Sequence, residues 1–351
     1  MKLDEILKGS YQRYSAEDFL STAFFNKRIA LVVDGVKEID VQKIKDKLLD
    51  VYGDVAVTIE KDGEDVQTCA SRLDGDFDAL TIDPIALVDC KRFDFSDLEQ
   101  IMHRLRADDG CEWDRAQTHE SIRINLIEEA YELVEAIDLK NAEMIKEETG
   151  DILMQAVFHA EIAKKNGEFN YTDMISGLCR KLIDRHTHIF GTNHANNADE
   201  ALVFWEEAKK KEKKYTSASD EMNRIPKNLP SLLYAEKLQK KAKKVGFDWD
   251  TVDCAYDKIA EETEELKSAD AEHRAEEAGD LLFAVVNVLR FYKIDPEMAL
   301  HEANLKFFRR FCAVEAAVKE SGREMKDCTL EQLDEIWNQV KLKEKSAEQA
   351  K

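Results

Sequence analysis

The fold of this chain is decided by EEAYE at residues 128–132 and ETGD at residues 148–151, which precede an apolar run over residues 152–158. The arrangement returns as EETEE at residues 261–265 and EAGD at residues 277–280, again before an apolar run, over residues 281–289. The first acidic group recurs after 133 positions and the second after 129. Two matched acidic patterns indicate that one structural plan occurs twice.

The spacing places the acidic side chains on shared helix faces. At about 100° per residue, Glu128 and Glu132 lie within roughly 40° of each other, with Glu129 beside them. Glu148 and Asp151, three residues apart, are neighbours on the next helix. We expect five carboxylates from two antiparallel helices to converge, where they would repel one another. A hard divalent cation resolves that repulsion, and oxygen ligands without matching His or Cys favour Mg²⁺ or Mn²⁺.

A solvated acidic face is the alternative interpretation of the helix at residues 120–138. One arc of that helix is apolar and the other acidic; the apolar arc holds Leu126, Ile127, Tyr131, Leu133, Val134 and Ile137, and the acidic arc holds Glu128, Glu132 and Glu135. The helices that carry the apolar runs are predicted to be buried on nearly all sides. A carboxylate at the start of such a helix is costly unless it is paired or bound to a metal. Capping would explain Asp151 or Asp280, but not the paired glutamates as well.

The pattern E-E-x-x-E followed by E-x-x-D resembles the MazG-type nucleoside triphosphate pyrophosphohydrolases of the all-α NTP pyrophosphatase superfamily. Flanking sequence agrees, with DGCEWD at residues 109–114, QTH at 117–119 and RHTHIFG at 185–191. Glu112 stands where a proline is common in the family. The resemblance covers roughly residues 93–345. It implies Mg²⁺-dependent hydrolysis of a nucleoside triphosphate to the monophosphate and pyrophosphate, and it implies a homodimer, although two modules of one chain could instead pair with each other.

The predicted fold is mainly α, with two tandem MazG-like helical bundle modules preceded by a small α/β segment. The predicted domains are the α/β segment at 1–92, the first module at 93–210, a linker at 211–230 and the second module at 231–345. In the α/β segment we expect helices at 3–14, 16–25 and 41–51 and strands at 29–33, 55–59, 79–82 and 85–88. Residues 44–57 resemble the C-terminal part of a tetrapyrrole methylase domain. The glycine-rich cofactor loop of such a methylase is absent, so the segment is interpreted as a remnant or a docking module.

The predicted metal and catalytic residues are the repeated carboxylates. In the second module, Mg²⁺ is expected to be held by Glu261 or Glu262 together with Glu265, Glu277 and Asp280. In the first module, the corresponding residues are Glu128 or Glu129 together with Glu132, Glu148 and Asp151. One carboxylate that is not bound tightly to the metal is expected to act as the general base.

The repeats also supply cations and tryptophans at matched spacing, which a triphosphate would require on so acidic a protein. The pairs four residues apart are Lys181 and Arg185, Lys306 and Arg310, Trp205 and Lys209, and Trp337 and Lys341. Surface solvation of the cations and core packing of the tryptophans are the alternatives. The resemblance implies that Lys258, Lys306, Arg310 and Lys341 contact phosphate and that Trp337 contacts base or ribose. Asn125 stands opposite Lys258 in the first module, so the second module is predicted to turn over faster.

Composition narrows the function classes. The 351 residues carry a formal net charge of −22, which makes a nucleic-acid partner unexpected. The seven cysteines form no C-x-x-C pair, and no secretory signal or membrane-spanning apolar run is evident, so a cytoplasmic protein is expected. No H-E-x-x-H, Walker or serine-elbow motif occurs. The competing hypotheses are a non-enzymatic acidic helical adaptor with a structural metal, and a pyrophosphatase for a modified nucleotide.

Overall fold

The computed structural model describes residues 10–213 and 216–349, with side chains described to residue 346. This part of the chain is mainly helical and has a small α/β sheet near its N-terminal end, as the sequence predicted. The chain forms two compact units, the first ending at Asp184 and the second beginning at Arg185. No helix among the described residues combines the length and the apolar character needed to cross a bilayer.

The elements are numbered here in chain order. The strands are β1 Tyr11–Ser15, β2 Ala30–Asp34, β3 Ala56–Lys61, β4 Glu64–Cys69 and β5 Ala79–Ile82. The helices of the first unit are α1 Ala16–Ser21, α2 Val41–Val51, α3 Phe95–Arg106, α4 Glu112–Ala116, α5 Arg123–Asp138, α6 Ala142–Asn166 and α7 Tyr171–Arg185, which ends at the unit boundary. The remaining helices are α8 Thr187–Phe190, α9 Ala198–Lys213, α10 Ala218–Asn223, α11 Ser231–Lys243, α12 Val252–Ser268, α13 Arg274–Phe291, α14 Pro296–Glu320 and α15 Leu330–Gln349.

The sheet has the strand order β1-β2-β5-β3-β4. Strands β1 and β2 are parallel, and the other neighbours are antiparallel. The central strands β2 and β5 are almost wholly buried. Their core includes the fully buried side chains of Phe19, Ile44, Leu48, Phe77 and Leu80.

Two sequence predictions for this segment are wrong. Residues 11–14, predicted to be helical, lie in strand β1, which pairs with β2; residues 3–9 of that predicted helix lie outside the described residues. Residues 85–88 form no strand. The sequence also missed β4, whose mostly polar residues form an edge strand with little apolar alternation. The helix at 41–51 and the strand at 79–82 are confirmed.

Helices α5 and α6 pack against each other because the connection at residues 139–141 turns the chain back. Met102 and Ile122 meet Val157, Phe158 and Ile162 in the small core that supports this helix pair. Helix α3 begins with a capping box, in which the side chain of Asp94 accepts from the backbone N–H of Asp97 and the side chain of Asp97 accepts from the backbone N–H of Asp94.

The second helix pair, α12 and α13, is packed in the same way, but the predicted burial of its apolar run is wrong. Within one chain, Leu282 is 58% exposed and Phe283 is 43% exposed, while Ala284 and Val286 are buried. The apolar arc of α5 is similarly uncovered, since Leu126, Ile127, Tyr131 and Ile137 are all exposed. Each acidic helix pair therefore buries one apolar side and leaves another side open.

A buried ion cluster joins the sheet segment to α3. Lys27, which is 4% exposed, places its Nζ 2.9 Å from Asp97 and 3.1 Å from Asp94, and Arg28 also pairs with Asp97. Burial alone would lower the pKa of Lys27, but its hydrogen bonds to Asp97 and Asp94 raise it above the ordinary value. The buried ammonium group of Lys27 therefore keeps its charge because Asp97 and Asp94 stabilise it.

We predict that Asp97→Ala destabilises the first unit by about 3 kcal/mol, because a buried Lys27 is left without its main partner. The measurement is the free energy of unfolding from a urea titration. Asp109→Ala is the control, since Asp109 forms an exposed ion pair with Arg104 at 2.9 Å and should cost less than about 1 kcal/mol. Equal losses in the two variants would contradict a role for the buried cluster.

Candidate active site

The first carboxylate trio consists of Glu129 on α5 and Glu148 and Asp151 on α6. One carboxylate oxygen from each residue lies within 4.8 Å of the other two. The three-residue step from Glu148 to Asp151 sets both side chains toward α5, as the sequence predicted. Of the alternatives Glu128 and Glu129, the trio contains Glu129; Glu128 is exposed and accepts a hydrogen bond from Asn125 at 3.4 Å.

Like charge accumulates around this trio. Burial, and then the charges of Asp151 and Glu132, raise the pKa of Glu129. Burial and the same two neighbours raise the pKa of Glu148, which is 9% exposed. Glu132 is outside the trio but close enough to act on both members. Gln155 donates to Glu129, and its own Oε1 is buried without a hydrogen-bond partner among the described residues.

The second carboxylate trio consists of Glu262 on α12 and Glu277 and Asp280 on α13, again with oxygens within 4.8 Å of one another. Glu262 is 4% exposed, and its Oε1 lies 2.6 Å from the Nζ of Lys258. Its Oε2 is buried and has no hydrogen-bond partner in the described part of the chain. Glu262, rather than Glu261, is therefore the acidic residue of α12 that faces α13.

The neighbours of the second trio hold both signs of charge. Lys258 contacts Glu261 at 3.0 Å as well as Glu262, and hydrogen bonds to Glu262 and then Glu261 raise the pKa of Lys258. Burial and the charge of Glu262 raise the pKa of Glu265, although Lys258 opposes the rise. Glu265 is exposed and lies outside the trio, as Glu132 does in the first copy.

The donor set fits a hard divalent cation. Each trio offers only carboxylate oxygens. Each is also accompanied by a buried side-chain oxygen with no hydrogen-bond partner among the residues that the structure describes, Gln155 Oε1 at the first trio and Glu262 Oε2 at the second. An acceptor left in that state is costly, and a coordinated Mg²⁺ or Mn²⁺ would satisfy it.

A pocket of about 610 Å³, here called the acidic pocket, adjoins the second trio. Glu262 and Asp280 line it together with Lys258, Trp249 and Phe283. This volume is within the range of about 300–1,000 Å³ that is common for small-molecule sites. The pocket thus combines carboxylates, one ammonium group and an aromatic, largely apolar wall.

Three further residues line the acidic pocket that were not predicted from the sequence, namely Asp248, Asn287 and Arg290. Arg290 donates to both carboxylate oxygens of Asp248, with Nη1 to Oδ2 at 3.1 Å, and Nε donates to Asn287 at 3.0 Å. Burial would raise the pKa of Asp248, but the hydrogen bonds and charge of Arg290 outweigh it and lower the pKa. An arginine directly after an apolar run was the signal available in the sequence, because such a position requires a buried partner.

The predicted arginine and tryptophan contacts form a different arrangement. Arg310 lies over the ring of Trp337 at 5.9 Å and donates to Glu344 at 2.7 Å. Arg185 lies over Trp205 at 5.2 Å and donates to Glu212 at 2.7 Å. None of these four predicted residues lines the acidic pocket.

The predicted lysines are more dispersed. Lys258 is the predicted substrate cation that the structure brings to a trio. Lys181 and Lys306 are exposed, Lys341 is half-buried, and Lys209 lines a separate pocket. Their roles in substrate binding stay predictions.

The paired helices, each pair with an oxygen-only carboxylate trio, and the pocket beside the second trio define a class of acidic helical proteins with a candidate metal site. A family model described as the MazG nucleotide pyrophosphohydrolase domain matches residues 117–190, which contain the first trio. The chain is 46% identical over 250 residues to a protein of Thermotoga maritima named nucleoside triphosphate pyrophosphohydrolase/pyrophosphatase MazG, covering 70% of this chain and 95% of that one. The chain belongs to the MazG family.

Two further relatives extend the comparison. A nucleoside triphosphate pyrophosphohydrolase of Escherichia coli is 40% identical over 251 residues, covering 70% of this chain and 95% of its own. The uncharacterized protein YabN of Bacillus subtilis is 42% identical over 314 residues, covering 86% of this chain and 64% of its own. Because 86% of 351 residues exceeds the length that follows residue 92, the match to YabN includes at least about 40 residues of the α/β segment.

We predict that Glu148→Gln raises the melting temperature of the metal-free protein by a few degrees. The pKa of Glu148 is raised in the folded state, so its ionised form destabilises the fold, and stability falls as pH rises through that folded pKa. Neutralising the side chain removes this penalty. Thermal unfolding at neutral pH with a chelator present is the measurement.

Glu135→Gln is the control for this prediction, because Glu135 is an exposed acid on α5 outside the trio. It should leave the melting temperature nearly unchanged. Adding Mg²⁺ should stabilise wild type and Glu135→Gln more than Glu148→Gln. A lower melting temperature for Glu148→Gln than for the control would contradict the prediction, because it would mean that the Glu148 carboxylate stabilises the metal-free fold.

Proposed function

We propose that this protein hydrolyses a nucleoside triphosphate to the monophosphate and pyrophosphate in a Mg²⁺-dependent reaction centred on the second carboxylate trio. Its membership of the MazG family makes it a hydrolase of nucleoside triphosphate anhydride bonds. The observation that carries the placement is the buried, unpartnered Oε2 of Glu262 in a pocket that also holds Lys258 and Trp249.

The second trio and the side chains that line the acidic pocket have separate parts in this proposal. Glu262, Glu277 and Asp280 would hold Mg²⁺, which when bound supplies positive charge for the phosphates and a more acidic water. Lys258 would neutralise phosphate oxygens that the carboxylate side of the pocket repels. The apolar wall near Trp249 and Phe283 would take the nucleoside, since aromatic surface stacks on any base.

Glu265 is the candidate general base. It is exposed, it is not a member of the trio, and it lies close enough to Glu262 for the two charges to interact. A carboxylate in that position can accept a proton from an attacking water without leaving a metal. Lys306, Arg310 and Lys341 remain proposed contacts for the departing pyrophosphate, and Arg310 would have to exchange Glu344 for phosphate.

The second trio is proposed to carry most of the turnover. Lys258 lies against Glu262, whereas Asn125 occupies the corresponding place in the first copy and hydrogen-bonds Glu128. An amide cannot supply the positive charge that phosphate requires. The first trio, with Lys181, Arg185, Trp205 and Lys209 as its predicted substrate residues, would then be the slower site or a metal-binding support.

We predict that Glu265→Ala lowers kcat/KM by at least about 100-fold, the usual size of a lost general base, and that Glu132→Ala lowers it much less. The measurement is pyrophosphate release from a panel of common nucleoside triphosphates and of inosine and xanthosine triphosphates, with and without Mg²⁺. Glu135→Ala serves as the control for loss of one exposed acid. Equal losses of kcat/KM in Glu265→Ala and Glu132→Ala would contradict the proposal that the second trio carries most of the turnover.

The panel also tests the alternatives. Strong preference for inosine or xanthosine triphosphate would support a role in clearing non-standard nucleotides. Release of orthophosphate in place of pyrophosphate would contradict the proposed bond. Absence of any Mg²⁺-dependent turnover would favour a non-enzymatic adaptor whose metal is structural.

We further propose that the protein is a homodimer that covers the open sides of its acidic helix pairs. Leu282 on α13 is 58% exposed, and on α14 Phe307 and Phe308 are 59% and 67% exposed. Large apolar side chains exposed in groups mark interaction surfaces. A second copy of the chain would remove this apolar area from water.

We predict that Leu282→Asp shifts the protein from dimer to monomer, because a charge would have to be buried in the interface. Mass from light scattering after size-exclusion chromatography is the measurement. Val245→Asp is the control, since Val245 is 62% exposed and lies outside the acidic helix pairs. A wild-type monomer, or a Leu282→Asp dimer, would contradict the proposed interface.

A further inference from the structure

A second pocket in the unit that begins at Arg185 has the opposite charge to the protein as a whole. This basic pocket has a volume of about 790 Å³ and is formed by α9, α10, α11 and their adjoining loops. Seven of its lining side chains are Lys or Arg, among them Lys209, Lys237 and Lys244, and two are acidic, Glu206 and Glu221. It therefore carries an excess of five positive charges in a chain of net charge −22.

Ion pairs hold part of this basic lining in place. Lys241 lies 2.7 Å from Glu221, and Lys244 lies 2.7 Å from Glu206. Lys209 and Lys237 also line the pocket, and neither has an ion pair with another described residue. Lys240, Lys243 and Arg224 pair with acids that do not line the pocket, which are Glu236, Asp248 and Asp220. Five of the seven lining cations therefore have a carboxylate partner, and together with Lys209 and Lys237 the lining cations still outnumber these acids by two. A multiply charged anion would supply negative charge to Lys209 and Lys237 and would also attract the paired lysines beside them.

We propose that the basic pocket binds an oligophosphate anion, either free or as the phosphate tail of a nucleotide. Several lysines around one concavity suit a compact ligand with several negative charges, since each ammonium acts as a point charge toward phosphate. The pocket volume is in the range common for small-molecule sites. A long nucleic acid is disfavoured, because it would run beyond the pocket over a strongly acidic surface.

The basic pocket is distinct from the acidic pocket, and helix α11 lies between them. Lys237, Lys240 and Lys241 line the basic pocket, whereas Leu238, Gln239 and Ala242 line the acidic one. These sets occupy different faces of the helix because successive residues are rotated by about 100°. An anion in the basic pocket therefore occupies a separate site from a substrate bound at the second carboxylate trio.

One residue connects the two pockets. Lys243 lines the basic pocket, and its Nζ lies 3.6 Å from Asp248, which Arg290 holds in the acidic pocket. An anion that attracts Lys243 competes with Asp248 for the same ammonium group. Binding in the basic pocket is thus placed to adjust the wall of the acidic pocket, as an effector site would.

The test is isothermal titration calorimetry of the full chain with inorganic triphosphate, at low ionic strength and with a chelator present. Without a divalent cation, the carboxylate trios repel the anion and the basic pocket is measured alone. We expect one binding site per chain. Lys237→Gln combined with Lys244→Gln should weaken binding at least tenfold, because both side chains line the pocket and are exposed enough to replace without loss of the fold.

Lys319→Gln combined with Lys326→Gln is the matched control, which removes the same charge from exposed positions outside the pocket. It should change affinity by less than twofold. Equal weakening in both double variants, or no binding to wild type, would overturn the proposal. The outcome does not depend on hydrolysis, so it is separable from failure of the proposed function.

Further ligands identify the source of the anion. Tighter binding of metal-free ATP than of triphosphate would assign the site to a nucleotide tail, and equal binding of both would assign it to the oligophosphate alone. A single-stranded oligonucleotide that binds more tightly than triphosphate, and loses that binding in the pocket variant, would overturn the proposal in favour of a nucleic-acid surface.

Discussion

Repulsion between converging carboxylates is the constraint on which this structure depends. Glu262, Glu277 and Asp280 hold their oxygens within 4.8 Å of one another, and Glu262 is almost fully buried. Such a group would spread apart on a flexible loop. Here each residue is fixed by a helix of seventeen or more residues, and the apolar side chains on the buried faces of α12 and α13 hold the two helices together. Hydrophobic packing thus maintains an arrangement that electrostatics opposes.

Sequence periodicity predicted which helices would carry this group, but not which side chains would complete it. Spacings of three and four residues showed which acidic residues share a helix face. All six members of the two trios are among the predicted metal-binding residues. The choice of Glu129 over Glu128 and of Glu262 over Glu261 depends on how each helix is rotated about its axis, which is set by packing with its partner. The roles of these residues in catalysis stay predictions.

Burial was the poorer part of the sequence interpretation, for a physical reason. An apolar run such as residues 281–289 has the same composition whether its own chain or a second chain covers it. Local patterns also failed at β1, because the parallel pairing of Tyr11–Ser15 with β2 joins residues that are distant in sequence. The edge strand β4 was missed because it gains its structure from backbone pairing with β3 and needs little apolar side-chain area.

The Arg–Trp–Glu contacts are a second arrangement that occurs at two places in the structure, in addition to the carboxylate trios. Trp205 and Glu212 are seven residues apart, as are Trp337 and Glu344, so indole and carboxylate lie on one helix face two turns apart. In each case one arginine from another helix spans both groups. A guanidinium held by an indole and a carboxylate has fewer donors free for phosphate. Lys258 is also held by carboxylates, those of its own helix α12, but unlike the two arginines it lines the acidic pocket. It is therefore the predicted cation best placed to meet a substrate at the second trio.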